Sequence, residues 1–197
     1  AGQHAPFDTH DAYLDGVVVD PEAGPSQVDV VLVAARRATV DEWVAVVRAA
    51  RLDPVVVDVG ALALGNAFEA SGACRPEETA LVVDAGAATT HVHVVAGGTS
   101  VFARDLSTGG HALTAEIARH FDVPWEEAEH LKTTSETTLS MSGVLREVQR
   151  LSTAASGQLA DEVRRTLDLY AAATASAVPT TVWLAGGAAL QAGFVAA

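Results

Sequence analysis

A strand-like run that ends in an acid and small residues is the first candidate for a chemical role. Residues 81–90, LVVDAGAATT, close with an acid, a glycine and two hydroxyls: Asp84, Gly86, Thr89 and Thr90. Because glycine has no Cβ, a phosphate or a metal-bound water can approach the backbone there, and the threonines offer hydroxyl and N–H donors. A single carboxylate suits a magnesium ion held through water. A plain hairpin corner would use the same residue types, so this motif alone leaves both interpretations open.

Two glycine pairs lie further along the chain. Gly186 and Gly187 follow the apolar run TTVWLA, where a strand end could bring its backbone flat against a ring or a phosphate. An ordinary strand-to-helix turn is the alternative. Gly109 and Gly110 end another strand-like run and precede a helical pattern. Glycine-rich strand ends in one chain, roughly a hundred residues apart, are more informative together than singly.

Glu129 and Lys132 form a further candidate pair. Their i, i+3 spacing places both on one face of a predicted helix, where one acceptor and one donor could grip vicinal hydroxyls. The alternative is an exposed ion pair worth roughly a few tenths of a kcal/mol. His91 and His93 also share a face, on a predicted strand, but no spacing supplies a third zinc ligand. We therefore expect the two histidines on a polar outer face, and no residue is identified as catalytic.

The pattern of apolar residues predicts mixed α/β structure in two regions. Residues 1–60 are expected to form a small β-β-α-β domain, with strands at 12–20, 27–36 and 53–60 and a helix at 39–51. Residues 61–77 are Ala-rich and predict a connecting helix. Residues 78–197 are expected to hold the candidate site: a three-strand meander over 79–107, helices at 109–121 and 123–132, one or two helices over 142–176, and a buried strand before Gly186.

The composition argues against several function classes. Lys and Arg number 12 against 25 Asp and Glu, and the net charge of −13 disfavours nucleic acids and anionic membrane surfaces. The single cysteine, Cys74, excludes an intrachain disulfide and a multi-cysteine metal site. The apolar windows are far shorter than the ~20 residues that span a bilayer, so no direct membrane insertion is expected.

In their order and spacing these motifs resemble the actin-like ATPase superfamily, which has a ribonuclease H-like fold. The resemblance rests on DxGxxTT at 84–90, GGxxLTxEIxxxF at 109–121, EAExLK at 127–132, EVRRTLDLY at 162–170 and GGxxL at 186–190. Within the superfamily, all 197 residues are similar to the PilM family of type IV pilus assembly proteins, relatives of the cell-division protein FtsA. Residues 1–60 resemble the small inserted domain of that family.

The resemblance implies ATP and Mg²⁺ as ligands and a role for each motif. By residue, Asp84, Gly86, Thr89 and Thr90 match the second phosphate loop, Gly109 and Gly110 a loop near the terminal phosphates, Glu129 and Lys132 the ribose-facing pair, and Gly186 and Gly187 the adenosine loop. Asp84 would hold Mg²⁺ through water. The implied activity is at most a slow ATPase, because no residue is identified that would position the attacking water.

The implied function is a cytoplasmic, ATP-binding adaptor of type IV pilus assembly. Its expected partner is the N-terminal peptide of a PilN-like inner-membrane protein, which would hold it at the inner membrane, and self-association is left open. Family members carry a first phosphate loop upstream and continue past the adenosine loop, so we expect a fragment, incomplete at both ends, that alone binds ATP weakly or not at all and is inactive. The alternatives are a nucleotide-independent scaffold of a pilus or type II secretion platform, a small-molecule kinase, and an FtsA-like division protein.

Overall fold

The computed structural model describes residues 9–24, 27–73, 75, 77–134, 142–174 and 178–190, which leaves Cys74 outside the described residues. The chain divides into two compact units, Ala1–Val59 and Gly60–Ala197. Each unit has its own secondary structure and is described by itself. Among the described residues, no helix combines the length and the apolar character needed to cross a membrane.

The first unit is a β-hairpin followed by a helix. Strands β1 (Ala12–Gly24) and β2 (Gln27–Arg36) pair antiparallel, and helix α1 (Arg37–Ala49) begins directly after β2. The side chain of Tyr13 ties the strand to this helix. Its hydroxyl donates to Asp41 Oδ1 over 3.0 Å, and the guanidinium carbon of Arg37 lies 4.3 Å from its ring centroid. The hairpin and the helix form as predicted, except that β1 extends to Gly24 and α1 begins and ends two residues earlier than expected.

The strand expected at residues 53–60 is not formed, and this prediction was wrong. Residues 52–59 have no regular secondary structure, and Val55 and Val56 are 84% and 76% exposed. A valine-rich segment becomes a strand only when a neighbouring strand takes up its backbone N–H and C=O groups. The described strands pair only as a two-stranded and a four-stranded sheet, and neither includes this segment. The described part of the first unit is thus β-β-α, followed by residues 52–59 without regular secondary structure.

The second unit is built on a four-stranded sheet. Strands β3 (Thr79–Ala85), β4 (Thr90–Ala96) and β5 (Thr99–Leu106) form the expected antiparallel meander. Strand β6 (Thr181–Ala185) pairs parallel to β3, which gives the order β5-β4-β3-β6. In this register Asp84 lies opposite Ala185, at the carboxyl ends of two parallel neighbours. The Asp84 turn and the Gly186 turn are thereby brought to the same edge of the sheet.

In the described part of the second unit, four helices and a short 3-10 turn accompany the sheet. They are α2 (Gly60–Ala70), α3 (Gly110–Phe121), α4 (Trp125–Thr133), α5 (Ser142–Ala173) and the turn Gly187–Leu190. Helix α2 ends earlier than the expected residue 77, because Gly72 at φ +70° turns the chain. Helix α5 is one uninterrupted helix through Gly157, and residues 175–176 of the expected span lie outside the described part of the chain.

Apolar clusters cover both faces of the four-stranded sheet. On one face α5 packs Leu159 and Tyr170 against the meander, and on the other face α2 packs Phe68. A third cluster joins α3, α4 and α5 and consists of Leu113, Ile117, Ala128, Val148 and Leu151. Because helices cover both faces, six of the seven residues of β3 are buried. Strand β6, expected to be buried, lies at the edge of the sheet and is mostly exposed, with Val182 at 62%.

His93 is buried between the sheet and α2, which corrects the expected polar outer face. Its Nε2 lies 2.5 Å from Ser100 Oγ, and an added Cβ at Gly65 would lie 2.6 Å from its Cε1. Burial lowers the pKa of His93. His91 does remain at the surface, with Nδ1 2.6 Å from Asp105 Oδ1. The alternation of the strand predicted one shared face, but α2 covers only the part of that face where His93 lies.

Candidate functional site

The Asp84 turn joins β3 to β4 and is closed by a backbone hydrogen bond. Gly86 N–H donates to Thr89 O over 3.0 Å, and an added Cβ at Gly86 would lie 2.9 Å from the same oxygen. The turn is therefore specific for glycine on steric grounds. In the described part of the chain, no hydrogen bond or ion pair engages the carboxylate of Asp84. This side chain is partly exposed and available to an external ligand.

The glycine turn after β6 lies directly against the Asp84 turn. Gly186 has φ +84°, and an added Cβ there would lie 2.5 Å from Asp84 Oδ1. Both the left-handed backbone and the close approach require glycine. Gly187 then starts the 3-10 turn, and a Cβ at this position would meet no atom within 4 Å. The two glycines of this pair therefore differ, since the first is sterically constrained and the second borders open space.

The start of α3 is joined to the Asp84 turn through its backbone. Gly110 N–H donates to Gly86 O over 2.9 Å, and His111 N–H donates to Ala87 O over 2.7 Å. Gly109 allows this approach, because a Cβ there would lie 2.6 Å from Gly86 O. Helix N-termini offer unpaired N–H groups to anions. Here these two N–H groups are already taken by the turn, so they are not free donors for a phosphate.

The two threonines of the motif, Thr89 and Thr90, form hydrogen bonds within the protein. Thr90 is fully buried, and its hydroxyl donates to Thr108 O over 2.7 Å, which joins the start of β4 to the segment after β5. Thr89 is partly buried, and its carbonyl oxygen accepts the bond that closes the turn. The hydroxyl of Thr90 is thus used inside the protein.

Glu129 and Lys132 project from α4 toward the start of α3. Lys132 Nζ lies 2.6 Å from Glu129 Oε2 and 2.8 Å from Thr114 Oγ1. The side chain of Lys132 is 7% exposed and that of Glu129 is 40% exposed, so the pair is not an ordinary surface ion pair. Burial acts to raise the pKa of Glu129, but hydrogen bonds from Lys132 and Thr114 and the charge of Lys132 outweigh it, so the pKa is lowered.

These elements surround one cavity of about 610 Å³, which is within the range of small-molecule sites. Five of the predicted site residues line it: Gly86, Gly110, Glu129, Lys132 and Gly187. The other five support the lining from behind or beside it: Asp84, Thr89, Thr90, Gly109 and Gly186. The structure therefore brings together motifs that are separated by most of the second unit.

Helix α5, for which the sequence predicted only a helical pattern, supplies a wall of the cavity. Its contribution consists of Leu145, Val148, Gln149 and Ser152, and Leu113 of α3 adds a further apolar contact. By their i, i+3, i+4, i+7 spacing these four residues share one face of α5. That spacing does not distinguish a face buried against other side chains from one that borders a cavity.

The residues present are compatible with a magnesium ion held mainly by water and phosphate. No group of three or more His, Cys, Asp or Glu side chains that could hold a metal occurs in the described residues. Mg²⁺ usually keeps several waters and takes one or two carboxylates together with substrate phosphates. The carboxylate of Asp84, which has no partner among the described residues, lies at the edge of the Gly86 turn and fits that pattern.

Comparisons with known proteins find similarity along the whole chain. A family model described as type IV pilus assembly protein PilM matches residues 1–197. The solved PilM-PilN type IV pilus biogenesis complex is 27% identical, with a TM-score of 0.80 over 98% of this chain and 55% of that chain. This chain therefore spans about half the length of that relative.

Two more distant structures support the fold alone. The archaeal actin homologue Ta0583 in complex with ADP is 13% identical, with a TM-score of 0.52 over 83% of this chain and 50% of that one. A diol dehydratase-reactivating factor in nucleotide-free form is 16% identical, with a TM-score of 0.55 over 93% of this chain and 38% of that one. The actin-like fold inferred from the motifs is confirmed.

Proposed function

Because the chain belongs to the type IV pilus assembly protein PilM family, we propose that it forms one wall of the ATP-binding cleft of a cytoplasmic pilus-assembly adaptor. The observation that carries this proposal is the convergence of three glycine turns and an acid-base pair on one cavity. A nucleotide site needs backbone that the phosphates can approach closely, a hydrogen-bond acceptor for the sugar hydroxyls and an apolar wall for the base. The cavity has a candidate for each of these needs.

Each part of the nucleotide would meet a different element. The phosphates would lie at the Gly86 turn, where the absent side chain permits contact with the backbone. A magnesium ion, held through water by Asp84, would neutralise phosphate charge. Glu129 would accept hydrogen bonds from the sugar hydroxyls. The base would pack between the Gly187 turn and the apolar side chains that α5 contributes, Leu145 and Val148.

This wall has few free donors for a phosphate group. The N–H groups of Gly110 and His111 are bonded to the Asp84 turn, and the hydroxyl of Thr90 is bonded to Thr108. In the proposed cleft the remaining phosphate contacts come from an opposing loop, as the family resemblance implies. We therefore expect weak or undetectable ATP binding by the 197 residues alone, and binding by a complete protein that also carries the opposing loop. Low-micromolar ATP binding to the 197 residues would contradict this part of the proposal.

A substitution at Gly187 tests the nucleotide site. Gly187→Leu adds a bulky side chain at a residue that lines the cavity, and its Cβ starts in open space because no atom lies within 4 Å of that position. The matched control is Gly157→Leu, since this position also has open space and lies on α5 without lining the cavity. In calorimetric titrations of the complete protein with Mg-ATP, the first variant is expected to lose binding and the second to keep it.

The same titration separates the nucleotide site from a nucleotide-independent scaffold. If the protein is a nucleotide-independent scaffold, the complete wild-type protein binds no Mg-ATP, and neither glycine variant binds it. Retained binding in Gly187→Leu would place the nucleotide elsewhere and overturn the site. Hydrolysis is measured separately, by phosphate release, and we expect at most a slow rate.

We further propose that the protein docks to the N-terminal peptide of a PilN-like inner-membrane protein, which would hold it at the inner membrane. A specific feature of the first unit supports this: one face of the hairpin carries Leu14, Val18, Val30 and Leu32, each about half exposed. An apolar sheet face of this kind is typical of an interaction surface. A partner peptide could cover these side chains and add hydrogen bonds at the strand edge.

A charge placed on that face tests the docking proposal. Leu32→Glu is expected to weaken binding of a labelled PilN-like N-terminal peptide about tenfold or more, because a buried carboxylate without a partner is costly. Asp15→Asn is the control, since Asp15 is exposed on the opposite face of β1. Fluorescence anisotropy with the complete protein measures both. Equal affinity for the two variants would exclude this face, and a change only in oligomeric state would assign it to self-association.

A further inference from the structure

Lys132 has an internal acceptor for each of its three ammonium protons. Its Nζ lies 2.6 Å from Glu129 Oε2, 2.8 Å from Thr114 Oγ1 and 3.3 Å from Gly110 O. An ammonium group has three donors and no acceptor. A ligand could accept a hydrogen bond from Lys132 only if one of these three bonds were broken. The side chain is also nearly buried, at 7% exposure, where a lost bond is not replaced by water.

Thr114 is the centre of this network. It is fully buried on the first turns of α3, and its hydroxyl lies 2.5 Å from Glu129 Oε2 and 3.2 Å from Gly110 O. A hydroxyl has one proton, so it donates to the nearer carboxylate oxygen and accepts from Lys132. Through this one side chain, α4 is tied to the start of α3.

The two bonds to Glu129 end on the same carboxylate oxygen, Oε2. The other oxygen, Oε1, has no hydrogen-bond partner among the described residues, and the side chain lines the cavity with 40% exposure. A carboxylate held by one oxygen therefore presents the other to the cavity in a defined direction. Two donors on one oxygen also keep the group ionised.

We propose that Thr114 and Lys132 are positioning residues that aim Glu129 Oε1 at the vicinal hydroxyls of a nucleotide sugar. The inference rests on the proposed nucleotide site and assigns the sugar contact to Glu129 alone. Lys132 acts through Glu129 and touches neither sugar nor phosphate. This differs from the expectation that the acid and the base grip the hydroxyls together.

The test compares ATP with 2′,3′-dideoxy-ATP in the complete protein, because the second nucleotide lacks the hydroxyls that Glu129 would bind. The wild type is expected to bind ATP about tenfold more tightly, the effect of one hydrogen bond to a charged group. Thr114→Val keeps the shape but removes the hydroxyl, and it is expected to weaken ATP binding to the level of the dideoxy nucleotide. Thr114→Ser is expected to retain the difference.

The dideoxy nucleotide also reports whether the cleft is intact. Its affinity is expected to stay within about twofold of wild type in Thr114→Val, because this side chain is fully buried and does not line the cavity. A loss of affinity for both nucleotides in folded Lys132→Met would show a direct contact and overturn the inference. So would a preference for ATP that survives in Thr114→Val. A wild type that binds neither nucleotide would instead overturn the proposed function, and this inference with it.

Discussion

His93 is expected to make the second unit less stable in mild acid. Its imidazole is fully buried, Nε2 has Ser100 Oγ as partner, and Nδ1 has none among the described residues. The neutral ring with its proton on Nε2 leaves only an acceptor unpaired, whereas the cation would add a second N–H donor with no acceptor. Burial lowers the pKa of His93 for the same reason. Protonation is thus opposed in the folded state only.

The sign of the effect follows from the protons bound in each state. Below the ordinary histidine pKa the unfolded chain binds a proton at this site and the folded chain does not, so the free energy of unfolding falls as the pH falls. The slope for one group is at most about 1.4 kcal/mol per pH unit, and it ends at the pKa of the folded state. The stabilisation is fully present at pH values above the pKa that His93 has in the unfolded chain.

Urea unfolding of the chain between about pH 7.5 and pH 5.5 measures this slope, in a range above most carboxylate titration. His93→Gln removes the titrating group, and His91→Gln, two residues away, is the matched control because that ring lies at the surface beside Asp105. We expect the slope to be reduced by up to about 1.4 kcal/mol per pH unit in His93→Gln and retained in His91→Gln. Equal slopes in wild type and His93→Gln would refute the reasoning.

Two further predictions concern the turns that build the site. Gly186→Ala is expected to lower the free energy of unfolding by at least about 2 kcal/mol, because alanine is strained at φ +84° and its Cβ would meet Asp84 Oδ1. Gly187→Ala, with open space, should change it by less than about 0.5 kcal/mol, and similar losses in both would contradict the steric argument. Thr90→Val is expected to cost about 1 kcal/mol, since it removes the hydrogen bond that the carbonyl of the half-buried Thr108 accepts. Chemical denaturation measures all three, and an unchanged midpoint for Thr90→Val would show that water replaces the hydroxyl.

Much of the second unit follows from local pattern. The valine-rich runs at 79–107 form the meander, and the apolar spacing after Gly110 forms α3. Alternation and i, i+3 spacing reflect the periods of strands and helices, so they predict an element without knowledge of its neighbours. Residues 53–60 show the limit of this reasoning. Their composition favours a strand, but a strand also needs a partner, and no described strand supplies one.

The motifs also predicted which residue types surround the cavity, because the chemistry of a glycine turn or an unpaired acid depends on the residue itself. Which donors remain free was decided by distant parts of the chain. Thr90 gives its hydroxyl to Thr108, and Lys132 gives its protons to Glu129, Thr114 and Gly110. A hydrogen bond used inside the protein cannot be inferred from spacing, since it depends on how the elements pack. The stretch around Asp84 thus specifies a turn by itself, and the parallel pairing of β3 with β6 makes that turn one edge of a cavity.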